Sequence, residues 1–472
     1  MVGRCNRTVL CALALLTALG GCSVGSAYRR PDVPAAGSWR DSETNSAVAW
    51  PATEWWRGFG SSQLDALIEL ARRANYDVAA AAARVREADA QARIAGAALL
   101  PTIGAGANVS RQGQPSNGGS SGSTSTQYSL TLTATYEVDF WGRNRAFLSS
   151  AQALALSSRY DRDTIGITVE TSVATTYFQV LGLRDRLAVA RDNLANAQEI
   201  LKTLNARRVA GIATALEVAQ QETNVAVLSA QIPPLEQQLR QNINALAILL
   251  GEPPQSLDIT TGALAELSEP VVSPGLPSEL LARRPDVASA EALLVAANAN
   301  INAARAAFFP SVQLTAQGGF ASAALSSLFN PSSALFSLAG SLLQPIFEGG
   351  RLKGQLEVSQ ARYDELVQSY RKAIVTAFGD VENALVATKQ TADQEQRQQI
   401  AVDTARRAYD ISVAQLRAGT VDVLTVLNTQ NALFTARDVL TQVKLARMQS
   451  SVSLFKALGG GWQQTPTHSV TG

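Results

Sequence analysis

The chain carries one pattern twice, and that duplication limits its fold more than any single stretch does. Ala97-Ala98-Leu99-Leu100-Pro101 returns as Ala306-Ala307-Phe308-Phe309-Pro310, and Phe140-Trp141-Gly142-Arg143 as Phe347-Glu348-Gly349-Gly350-Arg351. Val209-Ala210-Gly211 with Leu216 returns as Arg417-Ala418-Gly419 with Leu424, and Leu250-Gly251 as Leu458-Gly459. Most anchors lie 208 residues apart, as 211 and 419 do. One unit of about 200 residues is therefore used twice.

Inside the first unit, Tyr128 to Phe140 alternates without a break. Tyr128, Leu130, Leu132, Ala134, Tyr136, Val138 and Phe140 face one way; Ser129, Thr131, Thr133, Thr135, Glu137 and Asp139 face the other. At ~3.3 Å per residue this strand spans roughly 40 Å, long for a globular sheet and suited to a tilted bilayer crossing. Aromatic residues near both ends of the apolar face fit the interfacial girdles of an outer-membrane barrel. Taken alone, the segment fits an edge strand of a soluble sandwich equally well. Thr102 to Ser110 alternates before it, across a Gly/Ser/Asn-rich loop from Arg111 to Thr126, which makes a hairpin. Val312 to Phe320 and Leu335 to Phe347 form the matching pair in the second unit.

A helical pattern starts at Ser61 and ends at Leu100-Pro101. After Trp141-Gly142 no proline appears until Pro233, and helical periodicity runs from Arg143 to Arg208, about 100 Å of helix at ~1.5 Å per residue. Gly211 marks a turn, and a second helix returns to Leu250-Gly251 with Pro233-Pro234 expected to bend or interrupt it. In the second unit Leu352, Leu356, Tyr363, Val367, Tyr370, Ile374, Ala377, Val381 and Ala384 form a coiled-coil-like stripe. The expected organisation is a signal peptide at 1–21 and an extended segment at 22–60. A first repeat follows at 61–260 (hairpin 102–140, helices 143–208 and 214–250), then a linker at 261–277. The second repeat spans 278–460 (hairpin 311–347, helices 351–417 and 422–458), and a tail spans 461–472.

Arg4 and Arg7 precede an apolar run, Val9 to Leu19, too short for a spanning helix and correct for a secretory leader. It ends in Leu19-Gly20-Gly21-Cys22, a bacterial lipobox in form, so Cys22 is the expected lipidation site. The next residue is Ser23, not the Asp that would hold a lipoprotein at the inner membrane. All three cysteines (Cys5, Cys11, Cys22) lie in this leader or at its end, leaving no disulfide framework. The one histidine, His468, lies four residues from the end, so a histidine triad or a core zinc site is not supported. A net charge of +1 gives nucleic acid no electrostatic footprint. Ser453-Leu454-Phe455-Lys456 fits S-x-x-K but lacks the Ser-Asp-Asn and Lys-Thr-Gly partners of that chemistry, and no cofactor motif is present.

Four membrane-type strands per chain cannot close a barrel, and an open sheet edge cannot sit in lipid. Copies must associate. Two would give eight strands, filled by their own side chains, whereas three would give twelve and leave room for a lumen. Because long helices begin where strands end, they would continue that tube.

The chain resembles the TolC family of outer-membrane efflux channels, in the lipoprotein (NodT-type) branch that serves resistance–nodulation–division (RND) pumps. The resemblance rests on Trp55-Trp56-Arg57-Gly58-Phe59 leading into Leu64, Leu67, Asn75 and Asp77, and on Leu276-Pro277-Ser278-Glu279-Leu280-Leu281-Ala282-Arg283-Arg284-Pro285-Asp286-Val287. It rests further on Ala418-Gly419 with Leu424-Thr425, Leu427 and Gln430, and on Leu454 to Trp462. It implies a homotrimer with a twelve-stranded β-barrel continuous with a periplasmic α-helical barrel, and an equatorial domain. It implies three kinds of partner: outer-membrane lipid, a periplasmic adaptor (membrane-fusion) protein and an inner-membrane RND transporter. The turns at Gly211-Ile212 and Gly419-Thr420 are the expected adaptor-docking points, and both glycines also read as helix stops.

In the family an inward leucine and an aspartate four residues later constrict the periplasmic tip. Leu424 matches the leucine, but Asn428 stands at the acid position and Thr425 at another that is acidic in some members. Three amides would not form the cation site that three carboxylates would. Asp422 and Glu217 are the nearby acids able to substitute. The reading is a passive efflux duct for small molecules. Two others share parts of the pattern: the exit duct of a type I protein secretion system, and a periplasm-spanning structural tether.

Overall fold

The structure is a computed structural model, and it describes residues 24–33, 37–40, 50–114, 123–270, 272, 275 and 277–464. The expected leader with Cys22, and His468, lie outside the described residues. The chain forms two compact units. One comprises residues 1–32, 84–159 and 289–370; the other comprises 33–83, 160–288 and 371–472.

Helix α1 (Ser62–Ala74) starts where the Ser61 hydroxyl accepts from the Leu64 amide, and it buries Leu64, Leu67, Ile68 and Ala71 on one stripe. The single helix expected from Ser61 to Leu100 is two. Asn75 turns extended after α1, and its Oδ1 accepts from the Asp77 and Val78 amides to start α2 (Tyr76–Ala97). The side chain thus offers the backbone an alternative to continued helix. Strands β1 (Thr102–Gln114) and β2 (Ser123–Val138) follow, reaching further into the Gly/Ser-rich stretch than the sequence pattern indicates. Helix α3 (Arg143–Val209) has 67 residues. Helices α4 (Ala215–Ala230) and α5 (Ile232–Leu249) return, separated at Gln231. Pro233 and Pro234 fall in the first turn of α5, where a missing amide leaves no intrahelical bond unmade. Short α6 (Pro277–Leu280) and α7 (Pro285–Ala306) lead to β3 (Ser311–Ser322) and β4 (Ala334–Leu343). Strand β4 stops four residues short of the Phe347 end expected for it. Helix α8 (Arg351–Ala418) and the unbroken α9 (Val423–Ala457) complete the described chain.

In the first unit the four strands form one antiparallel sheet in sequence order. The register stacks like on like. Ile103, Ala134, Ala316 and Leu338 form one cross-strand row, and Ala105, Leu132, Gly318 and Phe336 form the next. Between them, Gly104, Thr133, Gln317 and Ser337 form a row on the opposite face. One face is therefore apolar and exposed, with Leu132, Phe336 and Leu338 at 60%, 90% and 82% accessibility. Among the described residues, nothing pairs with the outer sides of strands β1 and β4.

Arg143 and Arg351 open their long helices, where a cation faces the positive end of the helix dipole, and each has an acid beside it. Arg143 lies 3.9 Å from Glu137, and Arg351 pairs with Glu348. Asp139 receives the Asn144 and Arg145 amides at 3.0 and 2.9 Å, which caps α3. Trp141 stacks on Phe309 with ring centroids 4.8 Å apart and donates from Nε1 to the Pro310 carbonyl.

The core of the second unit is aromatic. Trp55 stacks on Phe455 at 4.9 Å, Phe59 lies 4.9 Å from Phe178, and Trp56 is fully buried beneath the Arg72 guanidinium. Leu64, Ile68, Val173, Leu181, Leu246 and Leu250 fill the space around them. Each such side chain contributes about 1.5–3 kcal/mol on burial. Arg72 Nε donates to Glu170 at 2.7 Å, yet burial pushes the Glu170 carboxyl above its usual range.

Candidate functional site

The two turns that join the long helices to the returning ones have the same backbone design. At the end of α3, Gly211 has φ +76°; its amide donates to Arg208 O and the Ile212 amide donates to Arg207 O. At the end of α8, Gly419 has φ +73°; its amide donates to Leu416 O and the Thr420 amide donates to Gln415 O. Both are Schellman stops, with glycine at the left-handed position. Ile212 and Thr420, the residues expected to meet an adaptor, are exposed.

Three residues past each glycine the next helix is capped. Thr214 Oγ1 accepts from the Glu217 amide, and the Glu217 carboxylate accepts from the Thr214 amide, a closed capping box on α4. Asp422 Oδ1 accepts from the Thr425 amide at 2.9 Å and from its hydroxyl at 2.6 Å, capping α9. The Thr425 hydroxyl and amide hold the Asp422 carboxyl below its ordinary range, and the Thr214 amide and hydroxyl do the same for Glu217. Both acids are therefore turned toward their own helix starts. A cap residue carries this signal in sequence, and Asp422 reads as one.

The turns are joined to each other. Leu204, Val218, Val423 and Leu427 are buried in one cluster with Leu416 against it, and Arg207 Nη1 donates to Leu416 O. Beside this cluster Leu424 is half exposed and Asn428 exposed. Both line a cleft of about 950 Å³, together with Gln220, Asn224, Leu427 and Asn431. Gln220 stands in the first repeat where Asn428 stands in the second, 208 residues on. The duplication held the signal for Gln220, which motif reading passed over. Within the same region Gln430 is fully buried and accepts from Asn224 at 3.3 Å; Gln221, also fully buried, donates to Ala197 O.

A model of the family described as outer membrane efflux protein matches the chain twice, over residues 67–252 and 276–460, the two repeats in turn. The pyoverdine export outer membrane protein OpmQ of Pseudomonas putida is 43% identical over 466 residues, covering 97% of this chain and 98% of that protein. The toluene efflux pump outer membrane protein TtgC, also of Pseudomonas putida, is 36% identical, covering 94% of each. The solved open state of the MtrE outer membrane channel of Neisseria gonorrhoeae superposes with a TM-score of 0.86 at 29% identity, covering 94% of this chain and 99% of that one. With a sheet apolar on one face and polar on the other, and with a duplicated helical hairpin, the chain belongs to the outer membrane efflux protein family and is an efflux channel of the outer membrane.

Proposed function

We propose that three copies close a twelve-stranded barrel and form a passive trans-periplasmic duct for small molecules. A periplasmic adaptor and an inner-membrane RND transporter deliver the cargo. The observation that carries this reading is the four-stranded sheet, with both outer edges unpaired among the described residues and its apolar face exposed. Such edges need partners before the sheet enters lipid, and a further copy offers the matching strand. The polar rows, from Gly104 to Ser337, then line a wet lumen. The varied cargo in the relatives' names, pyoverdine in one and toluene in another, supports a duct whose selection is made upstream.

At the tip, Leu424 and Asn428 constrict the passage, with Leu424 packing and Asn428 hydrogen bonding in place of an aspartate ring. Asp422 and Thr425 hold the start of the helix that carries Leu424 and Asn428, and Glu217 holds the start of α4. The adaptor docks at Gly211-Ile212 and Gly419-Thr420. Cys22 is lipidated. The lipobox form of Leu19-Gly20-Gly21-Cys22 supports this last point. The test is native mass and planar-bilayer conductance of the purified protein. A trimer that conducts supports the duct; a non-conducting single chain overturns it.

A further inference from the structure

The second hairpin is unusual for a segment that turns at an aqueous surface. From Ala306 to Phe347 there is no charged residue, whereas the first hairpin carries Arg111, Glu137 and Asp139. The first connection, 115–122, reads Pro-Ser-Asn-Gly-Gly-Ser-Ser-Gly, with no large apolar side chain. The second connection places Leu325 and Phe329 at 64% and 68% accessibility.

Phe329 is not a scattered surface residue. The Phe329 ring packs edge-on against Phe320, with centroids 5.7 Å apart. Phe320 belongs to the apolar face, in the cross-strand row of Ala107, Leu130 and Ala334. Phe329 thus extends that face past the last paired row, on its apolar side. The connection also satisfies several of its own polar groups. The Ser322 and Ser327 hydroxyls lie 2.7 Å apart, Ser327 donates to Ala324 O, Ser333 donates to Ser327 O at 2.8 Å, and the Ala324 amide donates to Ser322 Oγ. Two 3-10 turns, Leu325–Ser327 and Pro331–Ser333, fix the backbone. The loop pairs the Ser322, Ser327 and Ser333 hydroxyls internally and turns Leu325 and Phe329 outward beside the exposed Ser326, Asn330 and Ser332, a mixture that suits the boundary between headgroups and acyl chains.

We propose that the β3–β4 connection is seated in the membrane, with Leu325 and Phe329 inserted among acyl chains of the outer leaflet at the rim of the barrel. The occupant is lipid because the patch is continuous with the lipid-facing rows and the whole hairpin is free of charge. This rests on the barrel reading above, and one control separates the two.

The native protein is reconstituted in phosphatidylethanolamine–phosphatidylglycerol vesicles. It is labelled in parallel with a lipid-borne diazirine and with water-borne hydroxyl radicals, and modified residues are located by mass spectrometry. Leu132, in the middle of the apolar face, is the control. The expected result is diazirine labelling of Leu325 and Phe329 as for Leu132, with loss of radical labelling at both. Radical labelling of Leu325 and Phe329 while Leu132 takes diazirine overturns the proposal alone. Labelling by neither reagent means that protein covers the patch, and also overturns it. A Leu132 that takes radicals instead of diazirine overturns the barrel reading beneath it.

Discussion

Asn75 and Arg284, 209 residues apart, do the same work in the two repeats. Asn75 Nδ2 donates to Leu249 O at 2.8 Å, and Arg284 Nη1 donates to Ala457 O at 3.2 Å; each carbonyl lies two residues before the glycine that ends its helix. The amide finishes its task by capping α2, whereas the guanidinium is buried and pairs with Asp286 and Asp380. Arg284→Ala is expected to destabilise the protein by about 3 kcal/mol, since it strands two half-exposed carboxylates beside an unmet carbonyl. Asn75→Ala is expected to cost about 1–2 kcal/mol. Thermal dissociation of the assembled protein ranks the two.

The positive-φ glycines divide into two groups that look alike in sequence. At Gly419 an added Cβ meets nothing within 4 Å, so Gly419→Ala carries only the backbone cost of roughly 1–2 kcal/mol. At Gly459 the same atom would lie 2.0 Å from Arg283 O, a backbone atom that cannot step aside. Gly459→Ala is expected to abolish assembled protein in the membrane fraction, while Gly419→Ala is recovered at near wild-type yield.

Leu424→Ala is expected to raise single-channel conductance in planar bilayers, and Leu424→Ala with Asn428→Ala to raise it further. Leu216→Ala, at the matching position of the first repeat but absent from the cleft lining, is the comparison. Unchanged conductance in the double variant would remove Leu424 and Asn428 from the gate.

Acid acts in opposite directions at the two ends of the second unit's chemistry. Glu217 and Asp422 sit below their ordinary values of 4.5 and 3.8, so each favours the folded tip above that value and loses its contribution as pH falls through the lower, folded one. Glu170 sits above 4.5, so its contribution is present below that value and is lost as pH rises through the folded one. Hydrogen exchange, corrected for intrinsic rates, is expected to show the Thr214 and Thr425 amides, which donate to the Glu217 and Asp422 carboxylates, deprotected on acidification below about pH 4 while α1 and the centre of α3 stay protected.

Much of this was legible in the chain. Strict alternation from Tyr128 to Val138 survives as a strand because a one-residue slip would turn every apolar side chain to the wrong face. The long helices were legible from the absence of proline and the 3/4 spacing of apolar residues. What escaped is where one side chain decides between two backbone outcomes. Nothing in the Ala-rich run around Asn75 announces that its amide will cap a new helix, because either outcome satisfies the local pattern. At the candidate gate, the leucine and the asparagine were visible by position. The diversion of Asp422 and Glu217 into caps depends on hydroxyl partners at Thr425 and Thr214, and so does their withdrawal from the cleft.

The returning helices differ in one respect that the duplication hides. In the second repeat, α9 runs from Val423 to Ala457 without a joint, so flexing it anywhere stretches a backbone hydrogen bond. In the first, the run is divided at Gln231, and Pro233 and Pro234 have no amides to lose. One strut is stiff and its twin is articulated. A push or twist applied at the two turns is therefore transmitted along α9 as if along a rod, and is taken up at Gln231 as a bend, so two copies of one repeat deliver unequal mechanical compliance to the same tip.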